Sequence, residues 1–374
     1  MTGVARIGAS ASADRAAAAD ACVPADGTAP AGPRAPLAPR TPRRGLTVAV
    51  LAGGRSAEHD VSLSSGAAVR EGLSEAGHEV VWVEIERDGA WRCDGRRLSV
   101  TPGGGLLGVD VAFPVLHGPF GEDGTVQGVL ETLDVAYVGA GVSASAVCLD
   151  KVLFKQLMSG ARIPQVDFVG VRAELFSRAG EQTLEQIASL GLPVFVKPAH
   201  LGSSFGIVKV DAAGALAAAL DQAFAHDELV IVEAAAPGIE VECGVLGEQP
   251  PLASEPGEIG YPGEWYDFGA KYSPGGMQLR IPAGISAGAR EQVMRLAAQA
   301  FALTGCEGLA RVDFFVDGER VLLNELNTMP GFTPTSVYAR LLAASGVPYP
   351  RLLDRLCGLA LERHERARRN ARLT

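Results

Sequence analysis

The residues best equipped for chemistry lie in Arg311-Val312-Asp313-Phe314-Phe315 and in Asn324-Glu325-Leu326-Asn327-Thr328-Met329-Pro330-Gly331-Phe332-Thr333. Asp313, Glu325 and Asn327 carry hard oxygen ligands on two apolar runs, Gly308 to Val316 and Val321 to Leu326, split by Asp317-Gly318. Apolar runs around Asp-Gly predict a β-hairpin. Side chains two apart on a strand share a face, so Glu325 and Asn327 should project together. Carboxylate and amide oxygens converging in this way suit Mg²⁺ held jointly with substrate phosphates. Taken singly, each residue also fits an ordinary hairpin with its charges in water. As a set, among Leu322, Leu323 and Leu326, they require a compensating cation, because acids in a buried sheet are costly otherwise.

Five further segments carry candidate functional groups. Pro193 to Pro198 is an apolar strand holding Lys197, followed by Ala199-His200-Leu201-Gly202-Ser203-Ser204-Phe205-Gly206. That loop reads either as a Gly/Ser turn or as a cover whose N–H groups and hydroxyls wrap phosphates, with Lys197 as a point charge. No Gly-Lys pair occurs in the chain, so it is not a P-loop. Gly53 to Ser62 follows the first predicted strand but lacks Gly-x-Gly-x-x-Gly, which removes the main support for a dinucleotide oxidoreductase. Glu58 there could bind an ammonium in the crevice of an open α/β sheet or simply favour a helix N-terminus. His117 opens the loop His117-Gly118-Pro119-Phe120-Gly121-Glu122-Asp123-Gly124, Glu233 ends the apolar run Leu229 to Val232, and Glu264 to Tyr272 is aromatic-rich.

Together, and in this order, these motifs resemble the ATP-grasp ligases, and more closely the D-alanine:D-alanine ligase family, over about residues 46 to 360. The resemblance implies a mixed α/β ATP-grasp fold, in which an N-terminal open parallel α/β domain precedes two subdomains that sandwich ATP. It implies two Mg²⁺ ions, or Mn²⁺ in their place, on Asp313, Glu325 and Asn327, with Arg311 and the Gly331 N–H stabilising the transition state. Lys151, Lys197, Ser203 and Ser204 would contact ATP phosphates, Glu233 would sit at the adenine-proximal hinge, and Glu240 would read the ribose hydroxyls. Glu58 would bind the amino group of the first D-alanine, and His117 would lie near its carboxylate. Ser336 and Val337 would line the second pocket, where Leu is common at the Val position. The aromatic-rich segment is similar to the family's ω-loop: Lys271 would reach the γ-phosphate and Tyr272 would hydrogen-bond Ser203 and Glu58, although Trp265 and Gly269 depart from the commonest pattern.

Composition narrows the class independently. At 374 residues, 47% hydrophobic and 20% charged, the chain can build two or three real cores, as a globular enzyme does. A net charge of -10 argues against nucleic acid as a main partner, because phosphate backbones reward clustered Lys and Arg. The basic C-terminal cluster (Arg363, Arg366, Arg368, Arg369, Arg372) suits the end of a last helix. Its six cysteines show no metal or CxxC spacing, which predicts buried thiols in a reducing compartment. No apolar run approaches the roughly 18 residues of a membrane helix, so a cytoplasmic enzyme of small-molecule substrates is expected, with a homodimer by family analogy.

Residues 1–45, rich in Ala and Pro, should be a disordered extension or the product of an early start codon. Strands at Leu46–Ala52, Glu79–Ile85 and Val109–Leu116 alternate with a helix over His59–Ala76, which predicts a parallel sheet for an N-terminal domain at 46–139. A central subdomain at 140–233 contains helices at Lys151–Ser159 and Thr183–Leu190, and strands at Pro193–Pro198 and Gly206–Val210. A C-terminal subdomain at 234–365 contains the hairpin, and 366–374 forms a tail. The function expected is ATP-dependent joining of two D-alanines through an acyl phosphate, for peptidoglycan precursors. The alternatives are a ligase taking D-lactate or D-serine second, another ATP-grasp carboxylate–amine ligase, or a non-catalytic nucleotide-binding regulator.

Overall fold

The computed structural model describes residues 45–202, 205–260 and 277–371; the expectations for the extension through residue 44 and for Ser203, Ser204, Lys271 and Tyr272 lie outside them. The first sheet comprises β1 (Thr47–Gly53), β2 (Glu79–Ile85), β3 (Trp91–Cys93), β4 (Arg96–Arg97), β5 (Val111–Pro114) and β6 (Ala136–Tyr137), in the order β4-β3-β2-β1-β5-β6. β1 runs parallel to both β2 and β5. Its apolar run is buried on both faces, as parallel strands under helices must be. On one face, α1 (His59–Glu75) approaches so closely that a Cβ on Gly66 would lie 2.6 Å from that of Ala52. On the other face, Ala49 and Leu51 pack with Val126 and Leu130 of α2 (Thr125–Thr132). Since the chain leaves β1 for β2 on one side while β5 lies on the other, the loops after β1 and β5 flank a topological switch point, where α/β sheets open a crevice. Those loops carry Glu58 and His117.

α3 (Val142–Leu149) and α4 (Lys151–Gly160) lead into an antiparallel sheet of β7 (Phe168–Arg172), β8 (Val194–Pro198), β9 (Val208–Val210) and β10 (Leu229–Ala234), ordered β7-β10-β8-β9. Strand alternation divides its side chains. Val194, Val196, Val230 and Val232 pack on Ile187 of α5 (Ala173–Ala188) and on Leu216 and Leu220 of α6 (Leu216–Phe224). Ile231 faces Val152 of α4, which places Lys197 and Glu233 on the α4 side. Helix α5 begins ten residues before the sequence pattern suggests, because two helical pieces join through a kink at Ala179 (φ -138, ψ 43) that obscures the periodicity.

The third sheet contains β11 (Ile239–Leu246), β12 (Leu252–Ala253), β13 (Gly257–Gly260), β14 (Gln278–Arg280), β15 (Leu309–Asp317) and β16 (Arg320–Asn327). The order is β14-β13-β11-β15-β16, with β12 pairing β11. Val241, Cys243, Val312, Phe314, Leu323 and Leu326 meet Val293, Leu296 and Ala300 of α7 (Ala287–Leu303). Leu323 and Leu326 can share this face only because the register shifts between Asp313 and Phe314, leaving Asn324 as the extra residue of a bulge. The opposite face is then acidic.

After α8 (Val337–Ala344), α9 (Tyr349–Ala371) extends through residues 366–371, which the sequence pattern assigned to a tail. Its basic end pairs with acids: Arg363 and Arg366 with Glu307, and His364 and Arg368 with Asp134. Arg363 also stacks 4.0 Å from the Tyr137 ring centroid and donates to the carbonyls of Tyr137 and Gly139, joining the last helix to the end of β6.

Candidate active site

Two clefts meet over the acidic face of the third sheet. The first, about 210 Å³, is bordered by Lys151, Lys197, Glu233 and Glu240, with the rings of Phe195, Phe205 and Phe315. The second, about 580 Å³, is bordered by Glu58, His117, Gly331, Ser336 and Val337. Glu122, Gly202, Glu242, Arg311, Glu325 and Asn327 border both. Every described residue predicted for the site therefore reaches one of two connected spaces.

Strand register explains the centre. Asp313 lies opposite Glu242 on β11 and opposite Glu325 on β16, while Arg311 lies opposite Asn327, so all five side chains project from one face. Arg311 makes a fork on Asp313, with Nε and Nη2 2.8 and 2.7 Å from the two carboxylate oxygens. Its Nε is also 2.9 Å from Glu242. Burial works against the guanidinium charge, but Asp313 and Glu242 outweigh it and push the pKa of Arg311 further up. The Asn327 amide donates to Asp313 at 3.0 Å. Three carboxylates, Glu242, Asp313 and Glu325, share this face with the Arg311 guanidinium, and Glu325 also acts on the charge of Lys197. Among the described residues, no three or more His, Cys, Asp or Glu side chains form a metal cage. Two carboxylates and an amide oxygen instead fit Mg²⁺ shared with substrate phosphates, the arrangement that ion prefers.

A second charge cluster lies under the first cleft. Lys155 Nζ is 3.1 Å from one oxygen of Glu233, and Lys197 donates to the other. Both partners of the inner pair are buried, Lys155 at 1% and Glu233 at 4% exposure. Burial raises the Glu233 pKa, yet the two lysines prevail and hold it at about 2. Burial pulls Lys155 down, with Glu233 opposing. Sequence reasoning did not select Lys155 or Glu242. Lys155 lies one helical turn beyond Lys151, and Glu242 lies two strand positions beyond Glu240, so helix and strand periods would have flagged both.

On the N-terminal side, Glu58 caps α1 with its backbone, and its side chain makes no cap bond. A Cβ on Gly118 would lie 2.8 Å from Glu58 Oε2, and one on Gly202 3.4 Å, so the two loops close around this carboxylate. His117 is buried, and its Nδ1 lies 3.0 Å from the Met329 carbonyl. Burial lowers its pKa and favours the neutral ring. Ser336 Oγ accepts from Thr333 N at 3.0 Å and lies beside Gly331.

Glu122 ties these parts together, accepting from Gly118 N at 2.8 Å and Met329 N at 3.1 Å. Burial, then neighbouring Glu58, pushes its pKa to about 8. The native state therefore binds this proton more tightly than the unfolded chain does. The resulting stabilisation is present below the ordinary carboxyl pKa and is lost as pH rises through about 8. The thermal midpoint of wild type should accordingly fall relative to that of Glu122→Gln between pH 5 and pH 8; a difference independent of pH would show that Glu122 does not titrate there.

Both halves of this arrangement have relatives among known proteins. Residues 47–102 and 104–140 match the family described as D-ala D-ala ligase N-terminus, and residues 157–358 match D-ala D-ala ligase C-terminus. The chain is 42% identical to the D-alanine--D-alanine ligase of Geobacillus kaustophilus, covering 85% of this chain and 95% of that one. It is 43% identical to that of Deinococcus radiodurans, covering 84% and 98%. Among solved structures it resembles the D-alanine-D-alanine ligase from Coxiella burnetii, with TM-score 0.78, 33% identity, and coverage of 88% and 98%. The VanG D-Ala:D-Ser ligase of Enterococcus faecalis gives TM-score 0.76 and 34% identity, covering 85% and 100%. With both family regions matched in order and the two clefts joined over one acidic sheet face, the chain belongs to the D-alanine–D-alanine ligase family.

Proposed function

We infer that this chain is an ATP-dependent ligase that joins two D-alanine molecules for cell-wall precursor synthesis. The observation that carries this reading is the junction of the clefts at Arg311, Glu325 and Asn327, which puts a lysine-rich nucleotide space against a space suited to a small zwitterion. The carboxylate of one D-alanine attacks the γ-phosphate of ATP, giving an acyl phosphate and ADP. The amine of the second then attacks the acyl carbon, and phosphate leaves. The three sheets support dividing the chain at 46–139, 140–233 and 234–365. Among the described residues, no helix is long and apolar enough to cross a membrane.

Lys151 and Lys197 neutralise the phosphates, and Glu240 lies where a ribose could be read. Glu58 accepts the ammonium of the first D-alanine, while His117 and Glu122 hold the Met329 peptide and so the loop carrying Gly331. Arg311, restrained by Asp313 and Glu242, stabilises the developing oxyanion. Asp313, Glu325 and Asn327 would hold Mg²⁺, which supplies charge neutralisation at the phosphates when bound. Phosphate release from ATP should rise sharply on adding D-alanine; release independent of any amino acid would contradict the ligase assignment.

Val337, bordering the second cleft, favours a loosened size limit there and makes D-serine and D-lactate the competitors to measure. Tyr272→Phe removes one hydroxyl while keeping the ring, and with it the hydrogen bond that the family resemblance implies, worth about 0.5–1.5 kcal/mol. With both second substrates present at fixed pH, the ratio of D-Ala-D-Ala to D-Ala-D-lactate should fall. An unchanged ratio would remove Tyr272 from nucleophile choice.

A further inference from the structure

A histidine bordering neither cleft stands beside the nucleotide space. His200 follows β8, and its ring lies between two acids from different elements: Nδ1 is 2.9 Å from Asp227 Oδ2, and Nε2 is 3.4 Å from Asp150 Oδ2. Neither acid is free to drift. Asp150 caps α4, accepting from Leu153 N at 2.9 Å. Asp227, in the turn before β10, accepts from the backbone of His200 at 2.8 Å and of Leu229 at 3.0 Å.

The residues on either side of His200 grip Lys151. Its backbone N–H donates to the Ala199 carbonyl at 3.2 Å, and its ammonium donates to the Leu201 carbonyl. Asp150 directly precedes Lys151, so segment 150–151 and segment 199–201 are joined by backbone, lysine and imidazole together. Ala199 N–H in turn donates to the Leu229 carbonyl at 2.9 Å, anchoring the loop to β10.

We propose that His200 is a positioning residue which, by bridging Asp150 and Asp227, sets Lys151 at the edge of the cleft for the phosphates of a nucleoside di- or triphosphate. This rests on the nucleotide reading of the first cleft. His200 does not touch substrate; it acts through the lysine. The titratable groups facing it are Asp150 and Asp227; the Lys151 ammonium reaches the Leu201 carbonyl, and His226, next to Asp227, packs its ring 5.1 Å from Phe205. The hydrogen bonds it donates to the two acids raise its pKa to about 9, so the bridge is charged at neutral pH and is lost as pH rises through that value.

The experiment measures ADP binding with Mg²⁺ by calorimetry for wild type, His200→Ala, His200→Gln, Lys151→Ala and the double variant His200→Ala/Lys151→Ala, with steady-state KM values alongside. His200→Ala should weaken ADP about tenfold, as expected for loss of charge-assisted hydrogen bonds, with the KM for D-alanine within about twofold. His200→Gln should fall between it and wild type, and it keeps the test available if the alanine variant folds poorly. The double variant should bind no more weakly than Lys151→Ala alone, because the effect passes through the lysine. Wild-type affinity should drop between pH 8 and pH 10 more steeply than that of His200→Gln. Unchanged ADP binding in both His200 variants, or additive losses in the double variant, overturns the proposal. No ADP binding by wild type would overturn the nucleotide reading itself, and this proposal with it.

Discussion

On the proposed metal assignment, Glu325→Gln and Asp313→Asn are each expected to lower turnover by about 10²–10⁴-fold, the equivalent of several kcal/mol of transition-state stabilisation lost with the charge that would hold Mg²⁺ at the phosphates. The two variants should differ in detail. Asp313 also receives the guanidinium fork of Arg311 and the amide of Asn327, so Asp313→Asn loosens the oxyanion group as well. Glu242 remains 2.9 Å from Arg311 and keeps it from swinging free. Turnover should be followed as D-alanine-dependent phosphate release across a Mg²⁺ titration, with thermal midpoints recorded in parallel. Excess Mg²⁺ should partly restore Glu325→Gln by mass action. Near-normal activity of both variants at limiting Mg²⁺ would remove the metal assignment.

Glu233→Gln should be the most destabilising single change near the site. The substitution preserves shape but leaves Lys155 and Lys197 facing a neutral amide, and Lys155 is 1% exposed. Removing one partner of a buried ion pair costs about 3–5 kcal/mol, which for a chain of this size lowers the thermal midpoint by on the order of 10 °C. Burial should then drive a proton off Lys155, which is already pulled down with Glu233 in place. The variant should consequently lose less stability at pH 9 than at pH 6. A midpoint within about 2 °C of wild type at pH 6 would mean that water reaches the cluster and that the pair is not buried in solution.

Most of the fold was legible where one period ran without interruption. β2 spans Glu79–Ile85 as the apolar pattern predicted, and α1, α4 and the hairpin around Asp317-Gly318 agree within a residue or two. Legibility failed where geometry breaks the period. The kink at Ala179 hid the first half of α5, and although the basic cluster suited the end of a last helix, the domain boundary at 365 fell short of it, because the partners of that end, Glu307 and Asp134, are distant in sequence.

The site divides the same way. By itself, the sequence determined the inventory: hard oxygen ligands two apart on a strand, lysines at strand and helix ends, glycine-rich loops, and the ordered motifs that indicated the family. Those follow from residue type and local spacing, which the covalent chain carries directly. Only the tertiary structure decided which of these groups share charge. The bulge at Asn324 turns Glu325 away from Leu323 and onto the face of Asp313, although strict alternation would set Glu325 and Leu323 together. The pairing of β11 with β15 brings Glu242 to Arg311 across 69 residues of chain, and the packing of α4 on the second sheet drives Lys155 into Glu233. Burial and proximity set how strongly charges act on one another, and both arise from contacts between segments that no local window of the sequence contains.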